Sequence, residues 1–264
     1  MLSVHQWKEA TMLTDIDTAL DIKSVRIIDY ATSTNDFLKA LTKEQMQEEG
    51  FAVYTPNQTA GRGQRGNMWE SEAGKNIALS MVFYPDFLPV SRSFLLSETV
   101  ALGVKDALET AGIRPTEIKF PNDIYYDNRK AGGILIENEI TGGVIASSIA
   151  GIGLNVNQDV FLSDAPNPVS MKQILGRDMN ISLLLQDIIS SIRQRYSLLK
   201  TGDTEVITRD YHDAAYRKSG FFQYRDANGC FTAEIVRISD DGLLHLRTDR
   251  GQERAYAFKE VSFI

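Results

Sequence analysis

Four strand-like segments in the middle of the chain follow one another with gaps of only a few residues, and they restrict the fold more than any other feature. They are residues 117–120, 123–126, 131–140 and 144–156, rich in β-branched and aromatic residues and separated by Pro, Asn and Gly. Gaps of this length join neighbouring antiparallel strands, whereas a parallel crossover needs about a dozen residues or more. We therefore predict a mixed sheet.

Other segments extend this sheet and supply helices. Residues 24–30, 51–55 and 76–84 have strand character, and residues 1–31 are expected to supply a helix and the first strand. Apolar residues at helical spacing predict helices at 35–41, 94–111 and 181–199, with a weaker one at 204–217. Ser33, Thr34 or Asn35 can cap the first of these helices. Strands and helices of this kind predict an α+β protein.

The character of the sequence changes after Gly220. Asn228-Gly229, Asp241-Gly242 and Arg250-Gly251 separate short strand-like runs such as FTAEIVRI, LLHLRT and RAYAFKEV. We predict a small all-β barrel over residues 219–264, attached to a mixed-sheet domain over residues 1–218.

Composition and charge exclude several classes of protein. The formal net charge of −7 argues against a surface that binds nucleic acid by neutralising many phosphates. One cysteine, Cys230, and three scattered histidines argue against a disulfide framework and a zinc site. No apolar run has membrane-spanning length, and the first residues lack the grading of a signal peptide. We expect a folded cytoplasmic protein without a membrane partner.

Residues 56–75 form a long glycine-rich segment with little apolar periodicity, and such loops are often functional. Within it, GRGQRGNMW (61–69) places Arg62 and Arg65 among three glycines. Glycine lets a backbone approach a ligand closely, and arginine can grip phosphate or carboxylate oxygens. The pattern suits an anionic ligand but matches neither a Walker loop nor GxGxxG. A flexible solvated turn is the alternative for this segment taken alone.

Three later motifs carry further polar groups and glycines. KFPND (119–123) brings Lys119, Asn122 and Asp123 together around a proline, which suits a phosphate and Mg²⁺ or simply a turn between strands. RKAGGILIE (129–137) and GIGLNVN (151–157) carry glycine pairs within strands, which mark bulges or a ligand lying against the backbone.

Together with TSTN (32–35) and QTAGRGQRGNMW (58–69), these motifs have the order and spacing of the catalytic domain of biotin–protein ligases. Five strings in order make the resemblance specific, and the C-terminal β segment resembles the SH3-like domain of the same family. The resemblance implies ATP-dependent ligation of biotin to a lysine of a biotin carboxyl carrier protein through biotinyl-5'-AMP. It also implies biotin and ATP as ligands, with Mg²⁺ as the cofactor metal.

The resemblance assigns roles to individual residues. Those implied in catalysis are Arg62, Lys119 and Lys130. Those implied in binding biotin are Ser33, Thr34, Asn35, Gln58, Gly61, Arg62, Gly63, Gln64, Lys130, Gly132, Gly151 and Gly153. Those implied in binding the nucleotide are Arg65, Trp69, Lys119, Asn122 and Asn155, and Asp123 is the implied metal ligand.

The sequence departs from the family pattern at two positions. Gln64 stands where the family often has arginine, and Phe120 where it often has tryptophan. Gln64 lacks a charge that would help to hold an anionic intermediate, so we expect weaker retention of biotinyl-AMP. Residues 61–67 are expected to be mobile without ligand and to close over the adenylate.

Two alternatives remain beside the biotin ligase. A lipoate–protein ligase shares the fold and an adenylate intermediate, whereas transferases that form a thioester need a catalytic-domain cysteine. A biotin-sensing DNA-binding repressor would need an N-terminal winged helix, and the residues before Ser33 are expected to be too few and too poor in Lys and Arg for one. The sequence leaves the oligomeric state open, with a homodimer as one option.

Overall fold

A computed structural model describes residues 24–163 and 166–264 of the chain. The helix expected before the first strand falls outside these residues. The described helices are α1 (Thr34–Glu44), α2 (Phe94–Thr110), α3 (Met171–Leu175), α4 (Ile181–Thr201) and α5 (Thr204–Asp213). The described strands are β1 (Val25–Ile27), β2 (Ala52–Thr55), β3 (Gly61–Arg62), β4 (Met68–Trp69), β5 (Ile77–Phe83), β6 (Glu117–Lys119), β7 (Asp123–Tyr126), β8 (Arg129–Thr141), β9 (Val144–Leu154), β10 (Phe222–Asp226), β11 (Gly229–Ile238), β12 (Leu244–Thr248), β13 (Glu253–Tyr256) and β14 (Ser262–Phe263).

The main sheet has seven strands in the order β1-β2-β5-β9-β8-β7-β6. β1 and β2 are parallel, and every other neighbouring pair is antiparallel, which confirms the mixed sheet. A second, five-stranded antiparallel sheet has the order β13-β12-β11-β10-β14. The α+β class with a C-terminal β unit is therefore confirmed.

Helices cover both faces of the main sheet because side chains along a strand alternate between its faces. On β2, Ala52 and Tyr54 belong to the large hydrophobic cluster with α2 and α4, whereas Val53 packs with Phe37 and Leu38 of α1. Buried residues of the C-terminal sheet belong to the large cluster as well. The division at residues 218/219 stays a prediction.

Helix α1 begins where the sequence indicated, and its start faces the main cavity described below. Ser33 is the N-cap, and its side chain accepts a hydrogen bond from the backbone N–H of Asp36. Thr34 and Asn35 are buried in the first turn. The cap thereby places two polar side chains against the sheet.

Several predicted boundaries were wrong. Residues 56–75 are not wholly irregular, because β3 and β4 form a small hairpin around a 3-10 turn. The weaker helix ends at Asp213, since Tyr216 leaves it to donate its backbone N–H to Ile118 of β6. The last β run ends as a strand at Tyr256, and α3, β10 and β14 were not predicted. Each of these elements depends on contacts with distant residues, which local propensity does not encode.

Helix α2 carries a buried carboxyl group whose ionisation should control stability. Glu98 is 1% exposed and accepts a hydrogen bond from Thr208 Oγ1 at 3.2 Å. Burial raises the pKa of Glu98 from 4.5 to about 8, and the negative charge of Asp240 adds to this, against the opposing effect of Arg92. The folded state therefore holds a proton that the unfolded state releases above its own lower pKa.

We expect Glu98→Gln to become increasingly stable relative to the unsubstituted protein as pH rises between these two pKa values. A tenfold difference in proton affinity between the folded and unfolded states corresponds to about 1.4 kcal/mol, so the gain should be on the order of 2–4 kcal/mol between about pH 5 and about pH 8. Urea unfolding at both pH values measures it, with Glu109→Gln on the same helix as the control. If the difference in unfolding free energy between Glu98→Gln and the unsubstituted protein does not change with pH, the pKa of Glu98 is not raised in the folded state.

Candidate active site

One cavity of about 670 Å³ lies between strands β6 to β9 of the main sheet, the start of α1 and the glycine-rich segment. It gathers residues from all five motifs. The predicted site residues that line it are Ser33, Thr34, Asn35, Gln58, Arg62, Gly63, Gln64, Trp69, Lys119, Asn122, Asp123, Lys130, Gly151, Gly153 and Asn155. Segments far apart in the sequence thus converge on a single concave surface.

Three predicted residues have other placements. Gly132 turns away from the cavity, because a side chain there would meet Gly153 O at 2.8 Å as well as Leu154, and Gly133 lines the cavity instead. Gly61 packs against Gln58 and Trp69, where a Cβ would lie 2.7 Å from either. The side chain of Arg65 lies outside the described part of the structure.

A hydrogen-bonded network forms one end of the cavity. Gln58 Oε1 accepts from the Thr34 backbone N–H at 2.9 Å, and lies 3.2 Å from Thr34 Oγ1. Ser80 Oγ lies 2.7 Å from Thr34 Oγ1 and donates to Asn35 Oδ1 at 2.6 Å. Ser80 was not predicted, since a single serine inside a buried strand gives no local signal. The network fixes polar groups that can recognise a polar ligand head.

Two glycines of β9 create the room for this arrangement. A Cβ at Gly151 would overlap Asn35 Oδ1, and one at Gly153 would lie 2.6 Å from Trp69 Cε2. The Trp69 ring therefore lies directly against the backbone of β9. Trp69 Nε1 is buried and has no hydrogen-bond partner among the described residues. A buried N–H without a partner, on a residue that lines a cavity, is a candidate donor to a ligand.

The glycine-rich segment crosses the cavity as the β3–β4 hairpin, with Gly61 paired to Trp69 and Arg62 to Met68. Arg62 points to two carboxylates: its Nη2 donates to Asp36 Oδ1 at 2.6 Å and lies 3.3 Å from Glu137 Oε2. Glu137 was not among the predicted site residues, although it ends the RKAGGILIE motif. The pairs hold Arg62 at the edge of the cavity.

Two lysines that line the cavity bring positive charge to it. Lys130 Nζ pairs with Asp123 Oδ1 at 2.7 Å and lies 5.8 Å from the centre of the Trp69 ring. Lys119 Nζ donates to Tyr125 OH at 3.1 Å. Burial lowers the pKa of Lys119, against the opposing effect of Asp123. This desolvated amine would gain from an incoming anion.

Asn122 and Asn155 use their amides within the protein. Asn122 Nδ2 donates to Ile134 O, and Asn155 Nδ2 donates to Val169 O at 3.3 Å and to Lys130 O at 3.4 Å. Asn155 thereby ties Lys130 to the segment that contains the cavity residues 166 and 168. Both amides position the backbone around the ligand space.

Aromatic residues from distant parts of the chain surround Lys119. Its Nζ lies 4.8 Å from the ring centre of Tyr125, 5.9 Å from that of Tyr216 and 5.3 Å from that of Phe263. Phe263 belongs to β14, and Phe258, also from the C-terminal unit, lines the cavity. The sequence could not indicate these contributions, because the residues belong to a segment outside the motifs.

On the prediction that Lys119 acts in catalysis, we expect Phe263→Ala to reduce turnover by about threefold to tenfold, because a cation–π contact is worth roughly 0.5–2 kcal/mol. The KM for the predicted substrate, biotin, should stay within about twofold, since Phe263 does not line the cavity. Steady-state kinetics measure both. Phe221→Ala, at a half-exposed aromatic of the same C-terminal unit, is the control and should leave turnover unchanged.

Two further features concern metal ligands and helix length. Among residues 24–163 and 166–264, no group of three or more His, Cys, Asp or Glu side chains is arranged to hold a metal ion. A single carboxylate at Asp123 is the metal ligand that the motifs indicate. No helix in the described part of the chain has both the length and the apolar character needed to cross a membrane.

The fold and part of the sequence match a known family of protein ligases. Residues 27–155 match the family model of the biotin/lipoate A/B protein ligase family. The biotin–[acetyl-CoA-carboxylase] ligase of Paracoccus denitrificans is 36% identical over 207 residues, which are 76% of this chain and 85% of that relative. The chain belongs to the biotin protein ligase group of this family.

Other relatives agree with this assignment. The bifunctional ligase/repressor BirA of Bacillus spizizenii is 32% identical over 212 residues, 79% of this chain, and the match spans only 65% of that relative's length. The biotin protein ligase of Aquifex aeolicus in complex with biotin and ATP has a TM-score of 0.75 at 23% identity, and the alignment covers 92% of this chain and 99% of that one. The structural likeness confirms the fold.

Proposed function

We propose that this protein ligates biotin to a lysine of a biotin carboxyl carrier protein, with ATP as the energy source and biotinyl-5'-AMP as the intermediate. One observation carries the proposal: five separate motifs meet at one cavity in which Lys119, Lys130 and Arg62 stand around a polar pocket. Relatives and neighbours named as biotin ligases support it. Biotin-dependent exchange of pyrophosphate into ATP by the purified chain tests the first half-reaction.

We assign the polar end of the cavity to the biotin head. The hydroxyl and amide groups of Thr34, Asn35 and Gln58 are suited to the donors and acceptors of a ureido ring, and Ser33, Gly151 and Gly153 lie beside them. We assign Trp69, whose Nε1 has no partner among the described residues, and the lining residue Asn155 to the nucleotide. Arg65 and Asn122 complete the proposed nucleotide side.

The chemistry follows from charge. The biotin carboxylate and the α-phosphate of ATP are both anionic, so the site must supply cations before the two can approach. Lys130 and Lys119 lie on one side of the cavity, and Arg62 can turn inward from its edge. A carboxylate oxygen then attacks the α-phosphorus and pyrophosphate leaves. In the second step the neutral lysine amine attacks the carbonyl of the mixed anhydride, and AMP leaves.

Asp123 fits a role in holding Mg²⁺. Mg²⁺ is commonly bound by one or two carboxylates together with substrate phosphates and water, so the lack of a larger acidic cluster among the described residues is no obstacle. When bound, Mg²⁺ would neutralise phosphate charge. Lys130, whose Nζ lies 2.7 Å from Asp123 Oδ1, is the cation that we assign to the biotin carboxylate and the adenylate phosphate.

The remaining partners follow from the same proposal. The carrier domain would approach the opening of the cavity. We also propose that residues 1–218 form the catalytic domain and residues 219–264 a separate C-terminal β domain. A homodimer, a cytoplasmic location and the absence of nucleic-acid binding stay predictions. Lipoate is the substrate to test as the alternative, because the family model includes lipoate ligases.

The glycine-rich segment should act as a lid whose closure Gln64 weakens. We expect Gln64→Arg to slow the release of biotinyl-AMP by about threefold to tenfold, because the new charge can bind the adenylate phosphate. Protease cleavage within residues 61–67 should also fall when biotin and ATP are added. Unchanged release together with ligand-independent cleavage would show that this segment is not a lid.

A further inference from the structure

Glu137 is the last residue of the RKAGGILIE motif, and it has no role in the proposed ligation reaction. It lies on β8, paired with Ile149 of β9, and its side chain is 31% exposed. Its carboxylate contacts two residues from different segments, Asn35 of α1 and Arg62 of β3. Asn35 Nδ2 donates to Glu137 Oε2 at 2.8 Å, and Arg62 Nη2 lies within 3.4 Å of both carboxylate oxygens.

The first contact settles the orientation of the Asn35 amide. An asparagine can present either its oxygen or its nitrogen to a neighbour, whereas an ionised carboxylate only accepts. Glu137, at the shorter distance, and the Leu135 carbonyl, which lies 3.4 Å from Asn35 Nδ2, therefore draw the nitrogen toward β8 and leave Oδ1 to accept from Ser80 Oγ at 2.6 Å. Gly151 leaves the space in which this amide lies.

The second contact connects the same carboxylate to the glycine-rich segment. From Arg62 the interactions run through Glu137 and Asn35 to Ser80, and from Ser80 through Thr34 to Gln58. Gln58 and Arg62 are the first and last residues of the stretch 58–62, which leads into the β3–β4 hairpin and includes β3. The network thus begins and ends in the glycine-rich segment, at Arg62 and at Gln58. Between these two residues it passes through the polar end of the cavity.

We propose that Glu137 is a positioning residue that fixes the Asn35 amide for substrate recognition and couples it to the placement of Arg62. This rests on the proposed function, because it takes the polar end of the cavity as the biotin subsite. Glu137 does not line the cavity and touches no reacting atom. Its effect on the reaction passes through Asn35 and Arg62, which do line it.

The test compares three substitutions in biotin-dependent ATP–pyrophosphate exchange. Glu137→Gln keeps the shape but can present a donor to Asn35 and has no charge for Arg62, so the KM for biotin should rise about tenfold or more. The KM for ATP should stay within about twofold. Glu137→Asp, which keeps the charge with a shorter reach, should give an intermediate rise in the KM for biotin. Glu139→Gln, two residues along the same strand at a carboxylate that accepts from Ser147 Oγ, is the matched control.

Asp36→Asn separates the two contacts of Arg62. It removes the 2.6 Å ion pair and leaves Glu137 with Asn35, so the KM for biotin should change far less than in Glu137→Gln. A KM for biotin within about twofold of the unsubstituted protein in both Glu137→Gln and Glu137→Asp would overturn the proposal. If only one of these variants folds, that variant decides the question by the same criterion.

A second readout separates this proposal from the proposed function. Amide hydrogen exchange of residues 58–69 without ligand should be faster in Glu137→Gln than in Glu139→Gln, whatever the protein catalyses. Absence of biotin-dependent exchange in the unsubstituted protein would defeat the proposed function, while faster hydrogen exchange would still support the coupling. Equal hydrogen exchange in the two variants would overturn the coupling to the glycine-rich segment.

Discussion

Lys130→Ala should reduce the rate of biotinyl-AMP formation at least about tenfold to 100-fold. A charge-assisted hydrogen bond is worth roughly 1.5–3 kcal/mol, and the transition state of adenylation carries more localised charge than the separate substrates. The substitution also leaves the Asp123 carboxylate, now 2.7 Å from Lys130 Nζ, without this partner near incoming phosphates. Both effects slow the same step.

Biotin-dependent pyrophosphate release measures this loss, and circular dichroism checks that the variant folds. Lys105→Ala is the matched control: its side chain is 19% exposed, against 24% for Lys130, and it pairs with Glu109 on α2 rather than with a cavity residue. Pyrophosphate release by Lys130→Ala within about twofold of the unsubstituted protein would show that Lys130 is only a strand residue.

Gly151→Ala should weaken biotin binding by about 100-fold or more. The added methyl group would overlap Asn35 Oδ1, whose amide is held by Ser80 and Glu137, so Asn35 must leave its hydrogen bonds. Each buried polar group left without a partner costs roughly 1–3 kcal/mol, and two such losses give an effect of this size.

Titration calorimetry with biotin measures this affinity directly. ATP binding serves as the internal control, because the nucleotide is assigned to the other end of the cavity, and it should change by no more than about threefold. Biotin affinity that survives the substitution would mean that Asn35 is not part of the biotin subsite. Loss of both ligands with a lowered melting temperature would instead indicate a damaged sheet.

Regular elements could be read from the sequence because their periodicity is local. The strands of the main sheet and helices α2 and α4 alternate or repeat at spacings that burial dictates. The hairpin β3–β4 could not be read, since two-residue strands give no period. In this hairpin Trp69 lies against Gly153, a contact between distant segments that local sequence does not encode.

The RKAGGILIE motif does not indicate which glycine of its pair, Gly132 or Gly133, lines the cavity. Adjacent strand residues face opposite sides of a sheet, so only one of Gly132 and Gly133 can face the cavity, and the sequence does not say which. An irregularity in the register of β7 and β8 at Ile124 and Tyr125 places Gly133 there. Glu137, four residues further along the same strand, could then have been found on the same face.

Charge environments were the least predictable part of the site. The sequence indicated Lys119 as a phosphate ligand but could not show that rings from β7, β14 and the segment after α5 surround it. Nor could it show that Arg62 pairs with Asp36 and Glu137 at the cavity edge. Both depend on tertiary packing, which brings together residues far apart in the chain.

Labelling of a purified carrier domain tests whether this protein transfers biotin to a carrier lysine. The carrier is incubated with the protein, biotin, ATP and Mg²⁺, and its mass is measured, with lipoate offered as competitor and as sole substrate. We predict addition of one biotinyl group to one lysine, dependent on ATP and undiminished by lipoate. Labelling by lipoate in preference to biotin, or no ATP-dependent labelling by either acid, would show that the protein is not a biotin–protein ligase.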